Sequence, residues 1–335
     1  MAPASKALRR FQIGPEGTPG TAVAATFKMV GEATYTIERD TEDEDYPRGV
    51  YAPVTGGGID LRAGTLINFE GNLTYEEALH IFASVIEVPT TAGVSAPYTH
   101  TFDRPWNGPP TLQAYTAELT EDDGATKHVQ REAAYLTGMG FEITIAGLEA
   151  AKISWEAFAR ASTTTTETAA LAPLTGRTPI PSNLFKVYLD DSWAGLGGTL
   201  VSDAVRAATV KYAGAVAPAY NLDGRASLDF TGIRHLSFTP STAPTLSITM
   251  DLSTVAAAEV ADYLAGTKRF IRLIATNGTD SLSLDMCMVH AAPPSIEEDE
   301  GVMVATFNLR MEYDETGTNA FKAVIINGLE DVDDA

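Results

Sequence analysis

The residues best able to do chemistry are scattered along this sequence. The five histidines are His80, His100, His128, His235 and His290. None of them lies at metal-ligand spacing from another histidine, a cysteine or an acid. The glycine-rich stretches G138-M-G and G195-L-G-G lack the full spacing of a dinucleotide site, and no G-x-S-x-G nucleophile motif occurs. The sequence therefore nominates no catalytic, cofactor-binding or metal-ligating residue, and we expect a protein that is not an enzyme.

Acidic residues offer two further candidate sites. The run D40-T-E-D-E-D45 gathers carboxylates as a hard cation requires, but it lacks the glycine turn and terminal glutamate of a calcium loop. It predicts a solvated loop in preference to a metal site. E121-D-D-G124 lies between two alternating runs, where Asp-Gly predicts a tight hairpin turn. A glycosidase with two distant carboxylates leaves no local motif, so that class stays open as the less favoured alternative.

Charge and composition narrow the possible partners. The 335 residues include 44 acidic and 23 basic ones, a net charge of −21, which argues against a protein that grips nucleic acid. No run approaches the roughly 18 apolar residues of a membrane span. The basic N-terminus continues into glycine and proline without an apolar segment, so we expect synthesis in the cytoplasm. The single cysteine, Cys287, lies in an alternating run and is expected to be buried.

Apolar and polar residues alternate repeatedly, which predicts a mainly β protein. The clearest runs are T34–R39, G64–E70, T111–T120, G140–I145, K152–F158, L184–D190, L246–L252, S281–M286 and A305–Y313. Each is long enough for one half-buried strand.

Two segments have a helical pattern instead. Residues 74–87 begin with a capping Thr74, continue with acids in the first turn, and place Leu79, Phe82, Val85 and Ile86 on one face. Residues 253–266 have the same arrangement, with Ser253 or Thr254 as the cap, Gly266 as the stop, and a face formed by Val255, Val260 and Leu264. The two helices look equivalent.

The surroundings of the two helices indicate an internal repeat. Each helix directly follows an alternating strand and is followed by further strands, so the chain is predicted to contain two diverged copies of one β-rich module. The first copy is longer by about 25 to 30 residues, an excess that a hairpin at E121-D-D-G124 would supply. Between the copies, residues 162–182 are rich in Thr, Ala and Pro and predict a linker. The segment 39–58 predicts a long loop.

Two stretches resemble a known family. I13-G-P-E-G-T-P-G-T-A-V-A-A-T26, followed by F27-K-M-V-G-E-A-T-Y-T-I37, is similar to the N-terminal signature of the tail tube proteins of long-tailed phages. F185-K-V-Y-L-D-D-S-W-A-G-L-G-G-T-L-V-S-D-A204 and N221-L-D-G-R-A-S-L-D-F230 look like the opening of a second module of the same kind. The resemblance extends to both halves and to the order of elements.

This resemblance implies a fold and an assembly. It implies two tandem β-sandwich or barrel-like modules, each with one flanking helix, over residues 27–161 and 183–335, with an extended arm at 1–26 and the linker at 162–182. Rings of such modules stack into a virion tail tube that delivers the genome. Two fused modules would need three chains for a pseudo-sixfold ring. The expected partners are other copies of the chain, other tail proteins and DNA that passes without specific binding, with assembly in the host cytoplasm and no membrane span.

The resemblance also assigns candidate residues. An acidic wall would repel phosphates and let DNA slide, and the acids expected on it are Glu70, Glu142, Glu156, Asp251 and Glu312. The candidate inter-subunit arm comprises Gly14, Pro15, Gly17, Thr18, Pro19 and Gly20. The candidate inter-ring loop comprises Asp40, Glu42, Asp43, Glu44, Asp45, Tyr46, Pro47 and Arg48, and the linker is a second candidate for ring contacts.

An alternative of another class is a soluble β-sandwich adhesin or carbohydrate-binding module. It would require exposed aromatic side chains gathered on one face. Trp106, Trp155 and Trp193 lie in different sequence contexts, which does not favour this alternative.

Overall fold

The alternating runs form strands, and the protein is mainly β. In the computed structural model the described residues are 9–42, 59–122, 127–169, 171–201, 204–221, 229–299 and 301–333. All nine alternating runs lie in or overlap strands, and every strand pairing within these ranges is antiparallel. The two helical patterns form α1 (Tyr75–Val85) and α2 (Thr254–Ala265).

The strands divide between two halves, which we call the first module (before β11) and the second module (from β11 onward). The strands of the first module are β1 (Arg10–Pro15), β2 (Phe27–Lys28), β3 (Gly31–Glu42), β4 (Ile59–Asn72), β5 (Thr90–Ala92), β6 (Tyr98–Asp103), β7 (Tyr115–Asp122), β8 (Lys127–Ala146), β9 (Lys152–Ala159) and β10 (Thr163–Thr164). The strands of the second module are β11 (Phe185–Asp190), β12 (Val205–Ala213), β13 (Val216–Ala219), β14 (Gly232–His235), β15 (Thr245–Asp251), β16 (Arg269–Asn277), β17 (Asp280–His290), β18 (Ser295–Asp299), β19 (Val302–Met311) and β20 (Phe321–Asn327).

One sheet runs through both modules, and we call it the long sheet. Its strand order is β3-β4-β9-β8-β12-β15-β19-β18. The first four strands come from the first module and the last four from the second. One face is apolar and buried by a second layer of strands and the helices, and the core side chains on it include Phe69, Trp155, Phe141, Ile248 and Phe307.

The second layer is built from most of the remaining strands, whereas β13 and β14 form a separate two-stranded sheet. In the first module, β1 pairs with β2 and β7, β7 pairs with β8, and β10 pairs with β8. In the second module, the order is β11-β16-β17-β20, and β20 then pairs with β6, which pairs with β5. The first module thus contributes two strands to the outer layer of the second.

Those two strands account for the greater length of the first copy. The hairpin of β5 and β6 follows α1 and has no counterpart after α2, where β16 begins almost at once. The hairpin predicted at residues 121–124 connects β7 and β8, and its equivalent connects β16 and β17. The excess length therefore comes from β5 and β6, which pair onto β20 of the second module, and not from the hairpin between β7 and β8, whose turn at residues 123–126 lies outside the described residues.

The two helices start as predicted but differ in burial. Thr74 caps α1, its hydroxyl oxygen accepting a hydrogen bond from the Glu77 amide at 3.1 Å, and every residue of α1 is buried. Gly266 ends α2 in the left-handed conformation that glycine favours, with φ of 66°. On the predicted face of α2, Val255 and Val260 are only partly buried. The expectation for Leu264 was wrong, since 78% of it is exposed.

The N-terminal segment is part of the first module over residues 10–15. Phe11 and Ile13 are buried in the core, and Gly14 approaches the Ala24 carbonyl so closely that a Cβ would lie 2.4 Å from the oxygen. The prediction of an extended docking arm therefore does not hold for Gly14 and Pro15. Alternation at Phe11 and Ile13 was the overlooked strand signal.

The linker packs on its own first module. Its β10 pairs with β8, the Leu171 amide donates to the Gln12 side chain at 2.9 Å, and Leu174 and Ile180 are buried. The sequence predicts that this stretch gains order on a neighbouring copy, whereas in this fold it is packed on its own chain. Its isolated apolar residues fall instead into gaps along the first module, where they complete the core.

Candidate assembly surface

The long sheet ends in two edge strands, β3 and β18. Within the described residues, β3 pairs only with β4, and β18 pairs only with β19. All five β18 residues are exposed, as are most of those in β3. An unpaired edge presents free backbone donors and acceptors and is a ready template for another strand. We call β3 and β18 the free edges.

The two modules have the same strand order across the long sheet. Placing the helix caps Thr74 and Ser253 together makes β3, β4, β9 and β8 equivalent to β12, β15, β19 and β18. Four residues before each cap, Glu70 faces Ser154 in the first module and Thr249 faces Thr306 in the second. The two halves of the long sheet therefore share one strand order, as an internal repeat would predict.

The modules meet where β8 pairs with β12. This internal junction joins seven consecutive residue pairs, from Ala207 opposite Ala146 to Ala213 opposite Gly140. Below it, the Phe141 and Tyr212 rings stack with centroids 5.3 Å apart and planes within 7° of parallel, and Tyr212 contacts Phe321 at 4.6 Å. In repeat terms, β8 is equivalent to the free edge β18, and β12 to the free edge β3.

Exposed apolar side chains gather on the free side of the second module and on β3. Ile296 on β18 is 50% exposed, whereas its counterpart Ile143 at the internal junction is fully buried. The same contrast holds for four more exposed residues, each with a buried counterpart: Ile37 with Tyr212, Leu252 with Leu73, Leu264 with Val85, and Met303 with Ala151. Apolar side chains that are exposed here and buried at the internal junction make these positions a candidate interaction surface.

The solvent face of the long sheet is polar from edge to edge. One row of paired positions comprises Glu32, Glu70, Ser154, Glu142, Lys211, Thr245 and Arg310. A second row comprises Asn72, Lys152, Thr144, Thr209, Ser247 and Asn308. The predicted acids Glu70, Glu142 and Glu156 all lie on this face, and Glu32 joins them there. Sequence reasoning missed Glu32, although the alternation of β3 carries the signal.

The other two predicted acids are neutralised by cations at strand ends. The Asp251 carboxylate accepts from the Arg206 guanidinium at 2.5 Å, and Arg206 also contacts Asp299 at 2.8 Å. Glu312 lies 3.0 Å from the Lys268 ammonium. The long-sheet face of the second module instead carries Lys211 and Arg310. On β18 the same face carries the exposed acids Glu297 and Asp299, so both modules contribute acids to it.

The remaining predicted arm residues form a turn on their own module. The Glu16 carboxylate is buried and accepts from the Gly20 amide, the Thr116 hydroxyl and the Tyr135 amide, at 2.6, 2.8 and 2.8 Å. The Arg160 guanidinium donates to the Gly20 carbonyl at 3.1 Å. Gly17, Thr18 and Pro19 are exposed at the tip of this turn.

The acidic loop is described only at its start. Asp40 and Glu42 are exposed at the far end of β3, where Asp40 forms an ion pair with Arg62 of β4. Asp43, Glu44, Asp45, Tyr46, Pro47 and Arg48 lie outside the described residues. Beyond Thr65, β3 and β4 continue together past the end of β9, so the hairpin projects from the long sheet.

The buried titratable groups serve packing. Burial lowers the pKa of His80 to about 3, and its ring stacks on Phe27 with centroids 4.4 Å apart. Burial raises the pKa of Glu76 to about 7 and that of the buried Cys287 thiol to about 12. Across the described residues, no group of three or more His, Cys, Asp and Glu side chains is arranged to hold a metal ion.

Comparison with known proteins gives no further assignment. No protein-family model matches the chain, and no curated protein matches it. Within the described ranges, no helix combines the length and apolar content that crossing a membrane requires.

Proposed function

We propose that this protein is a structural virion protein, a tail tube protein whose copies join into rings of three that stack into a conduit for genome delivery. Two observations support the proposal. The N-terminal sequence and the opening of the second module resemble tail tube proteins. The long sheet contains one formed junction between modules and, at its two ends, both halves of a second junction of the same kind.

The internal junction carries the argument. If β18 of one copy pairs with β3 of the next as β8 pairs with β12, each copy adds two modules to a head-to-tail chain. Such a chain closes into a ring when the rotation between modules divides a full turn. The resemblance sets six modules per ring, hence three copies. Closure leaves no unpaired edge and covers the exposed apolar side chains near β3 and β18.

The internal register also specifies the register between copies. Carrying the β8–β12 pairs over to their equivalents gives Glu32 opposite Asp299, Thr34 opposite Glu297, Tyr35 opposite Ile296, and Thr36 opposite Ser295. Tyr35 and Ile296 would take the places of Val210 and Ile143, which are both fully buried. A slip by one residue would turn Tyr35 to the solvent face.

The polar face of the long sheet would then line the channel. Three copies would place the carboxylates of Glu32, Glu70, Glu142 and Glu156 around the wall, where they repel phosphates and favour sliding over adhesion. Combined substitution of Glu70, Glu142 and Glu156 by Lys is expected to leave tubes intact and to slow DNA ejection. Unchanged ejection by such tubes would remove the role proposed for the acids.

Electron microscopy and disulfide trapping test the assembly. The concentrated protein is expected to form rings or tubes in negative stain. The double variant Thr34→Cys, Glu297→Cys is expected to give covalently linked copies on oxidation, because paired positions fall within disulfide range. Thr34→Cys with Ser295→Cys is the mismatched control, two residues out of register. Thr144→Cys with Thr209→Cys is the positive control, which should crosslink within one chain. Monodisperse particles without crosslinks would overturn the proposal.

One observation favours a second candidate, a carbohydrate-binding module. A cleft of about 890 Å³ is lined by Trp106, Phe238 and Tyr313 together with Arg104, Arg310 and Glu312. Aromatic faces beside charged groups are typical of sugar sites. Screening the protein against a glycan array tests this function. Specific binding by particles that never form rings would favour it over the tail tube.

A further inference from the structure

The exposed residues Leu252 and Met303 occupy a position that is covered in the other module. In the first module, Leu73 directly precedes α1, and its amide donates to the Ala151 carbonyl at 2.7 Å. In the second, Leu252 precedes α2, and its amide donates to the Met303 carbonyl at 2.9 Å. Leu73 and Ala151 are fully buried, whereas Leu252 is 44% and Met303 46% exposed. The backbone hydrogen bond is the same in both modules, but only in the first module are the two side chains covered by another segment.

The cover in the first module is the segment that leads into β11. Ile180 lies across the pair, its amide donating to the Leu73 carbonyl at 2.9 Å and its carbonyl accepting from the Ala151 amide at 2.8 Å. Pro179 and Pro181 flank it, bridging to Thr74 and Ala150. The segment entering one module thus covers the module that precedes it, on the far side of the β8–β12 junction.

The same relation assigns an occupant to the exposed pair. β1 has the place in the first module that β11 has in the second, since each is the outer strand that precedes the first strand of the long sheet. We propose that residues 1–8, which lead into β1, lie across Leu252 and Met303 of the neighbouring copy in the ring. This inference rests on the proposed function, because it requires β18 of that neighbour to pair with β3.

The composition of the two sides is complementary. Residues 1–8 read Met-Ala-Pro-Ala-Ser-Lys-Ala-Leu, small and apolar with one cation. The surface beside Leu252 continues along α2 through Ala257, Ala258, Ala261 and Leu264, which are exposed and uncharged. Ile180 lies five residues before β11, and the position five residues before β1 falls within residues 1–8. The segment would bury apolar area on both sides.

Site-specific photocrosslinking tests the contact directly. A benzophenone amino acid at Met303, activated in assembled protein, is expected to crosslink to a peptide from residues 1–9 of another copy, as read by mass spectrometry. The same probe at Val94, a fully exposed residue on the β5–β6 turn, is the matched control and should give no such product. Assemblies whose Met303 products map elsewhere would overturn this inference and leave the proposed function standing. Wild-type protein without assemblies would overturn both.

Truncation measures how much the contact contributes. Deleting residues 2–8 is expected to raise the concentration needed for ring formation by about tenfold while the thermal unfolding of the monomer stays unchanged. Leu252→Glu should have a similar effect, and the two changes together should add little, because both remove one contact. Val94→Glu is the matched control. Full additivity of the deletion and Leu252→Glu would contradict a shared contact.

Discussion

The two helices begin from equivalent positions and are held in different ways. α1 packs against β8 of the long sheet and against β6, β17 and β20, and its Phe82 ring contacts Phe102 and Phe141. α2 buries only Ala256 and Glu259, and the Glu259 carboxylate accepts from the buried Arg269 guanidinium at 2.7 and 3.2 Å. A helix inside the chain's own junction is packed by apolar groups. A helix at the chain's free side is anchored by an ion pair and leaves its apolar face uncovered.

The largest expected difference in stability is between a charge introduced at the internal junction and a charge introduced at the equivalent position of the free edge β18. Ile143→Glu places an unpaired carboxylate in the core and is expected to lower the free energy of unfolding by more than about 4 kcal/mol. Ile296→Glu is expected to change monomer stability by less than about 1 kcal/mol and to abolish rings. Urea unfolding and negative-stain microscopy measure the two effects. Equal destabilisation by both variants would show that β18 is not a free edge.

Removing the ion pair tests how α2 is held. Glu259→Ala removes the one buried carboxylate beside Arg269 and leaves it only Asp191 and Asp262, which are more exposed, so it is expected to lower the free energy of unfolding by about 2 kcal/mol. Arg269→Met in the same chain should restore part of the loss, because the buried charge is then gone. Chemical denaturation of the single and double variants measures this. No recovery in the double variant would indicate that the pair's geometry, and not the orphaned charge, fixes the helix.

The first turn of α1 should respond to pH where α2 does not. Glu76 has a pKa raised by burial from 4.5 to about 7, so its folded form holds the proton more tightly than its unfolded form. Its contribution to stability therefore falls as pH rises from 4.5 to 7. Glu76→Gln is expected to stabilise the protein by on the order of 2 kcal/mol at pH 8 and to change little below pH 4. Val255, the equivalent residue in α2, cannot titrate. A difference in the free energy of unfolding between wild type and Glu76→Gln that did not change with pH would refute the raised pKa of Glu76.

The smallest expected effect concerns the ion pair on the polar face. Glu142 lies 4.0 Å from Lys211 across the internal junction, and both side chains are largely exposed. Such pairs contribute between 0 and about 1 kcal/mol and weaken with salt. Glu142→Gln is therefore expected to shift the free energy of unfolding by less than about 0.5 kcal/mol, measured by denaturation in low and high salt. A larger loss would mean that charge, and not β8–β12 pairing, holds the modules together.

Local sequence patterns predicted most of the secondary structure. Period-two alternation located nine strands, and the cap at Thr74 and the stop at Gly266 located both helices, because these features depend on residues near one another in sequence. The burial of Val85 and the exposure of Leu264 could not be separated this way. Both are apolar residues on amphipathic helices, and the difference lies in tertiary contacts: Val85 lies against Gly138 of β8, whereas Leu264 is 78% exposed.

The candidate site was less predictable for the same reason. Alternation allowed Glu70, Glu142 and Glu156 to share a face, but whether a carboxylate has a cation beside it depends on tertiary contacts, as Arg206 does for Asp251. The β8–β12 junction joins strands about 65 residues apart and has no local signal. The position of the β8–β12 junction can be derived only when the strand register of both modules is known.

The unbroken pairing of β8 with β12 has a kinetic consequence. The proposed ring of six modules would have six junctions between modules, and every second one would be the β8–β12 pairing, which forms within one molecule during folding. Three junctions between copies remain to be formed. Two bimolecular encounters join the three copies, and the third junction then closes the ring, whereas six separate modules would need five encounters. Dilution weakens only these three junctions between copies, because the β8–β12 pairing lies within one chain. A ring below its assembly concentration should fall apart into rigid arcs of one third of the circumference, each ready to rejoin without refolding.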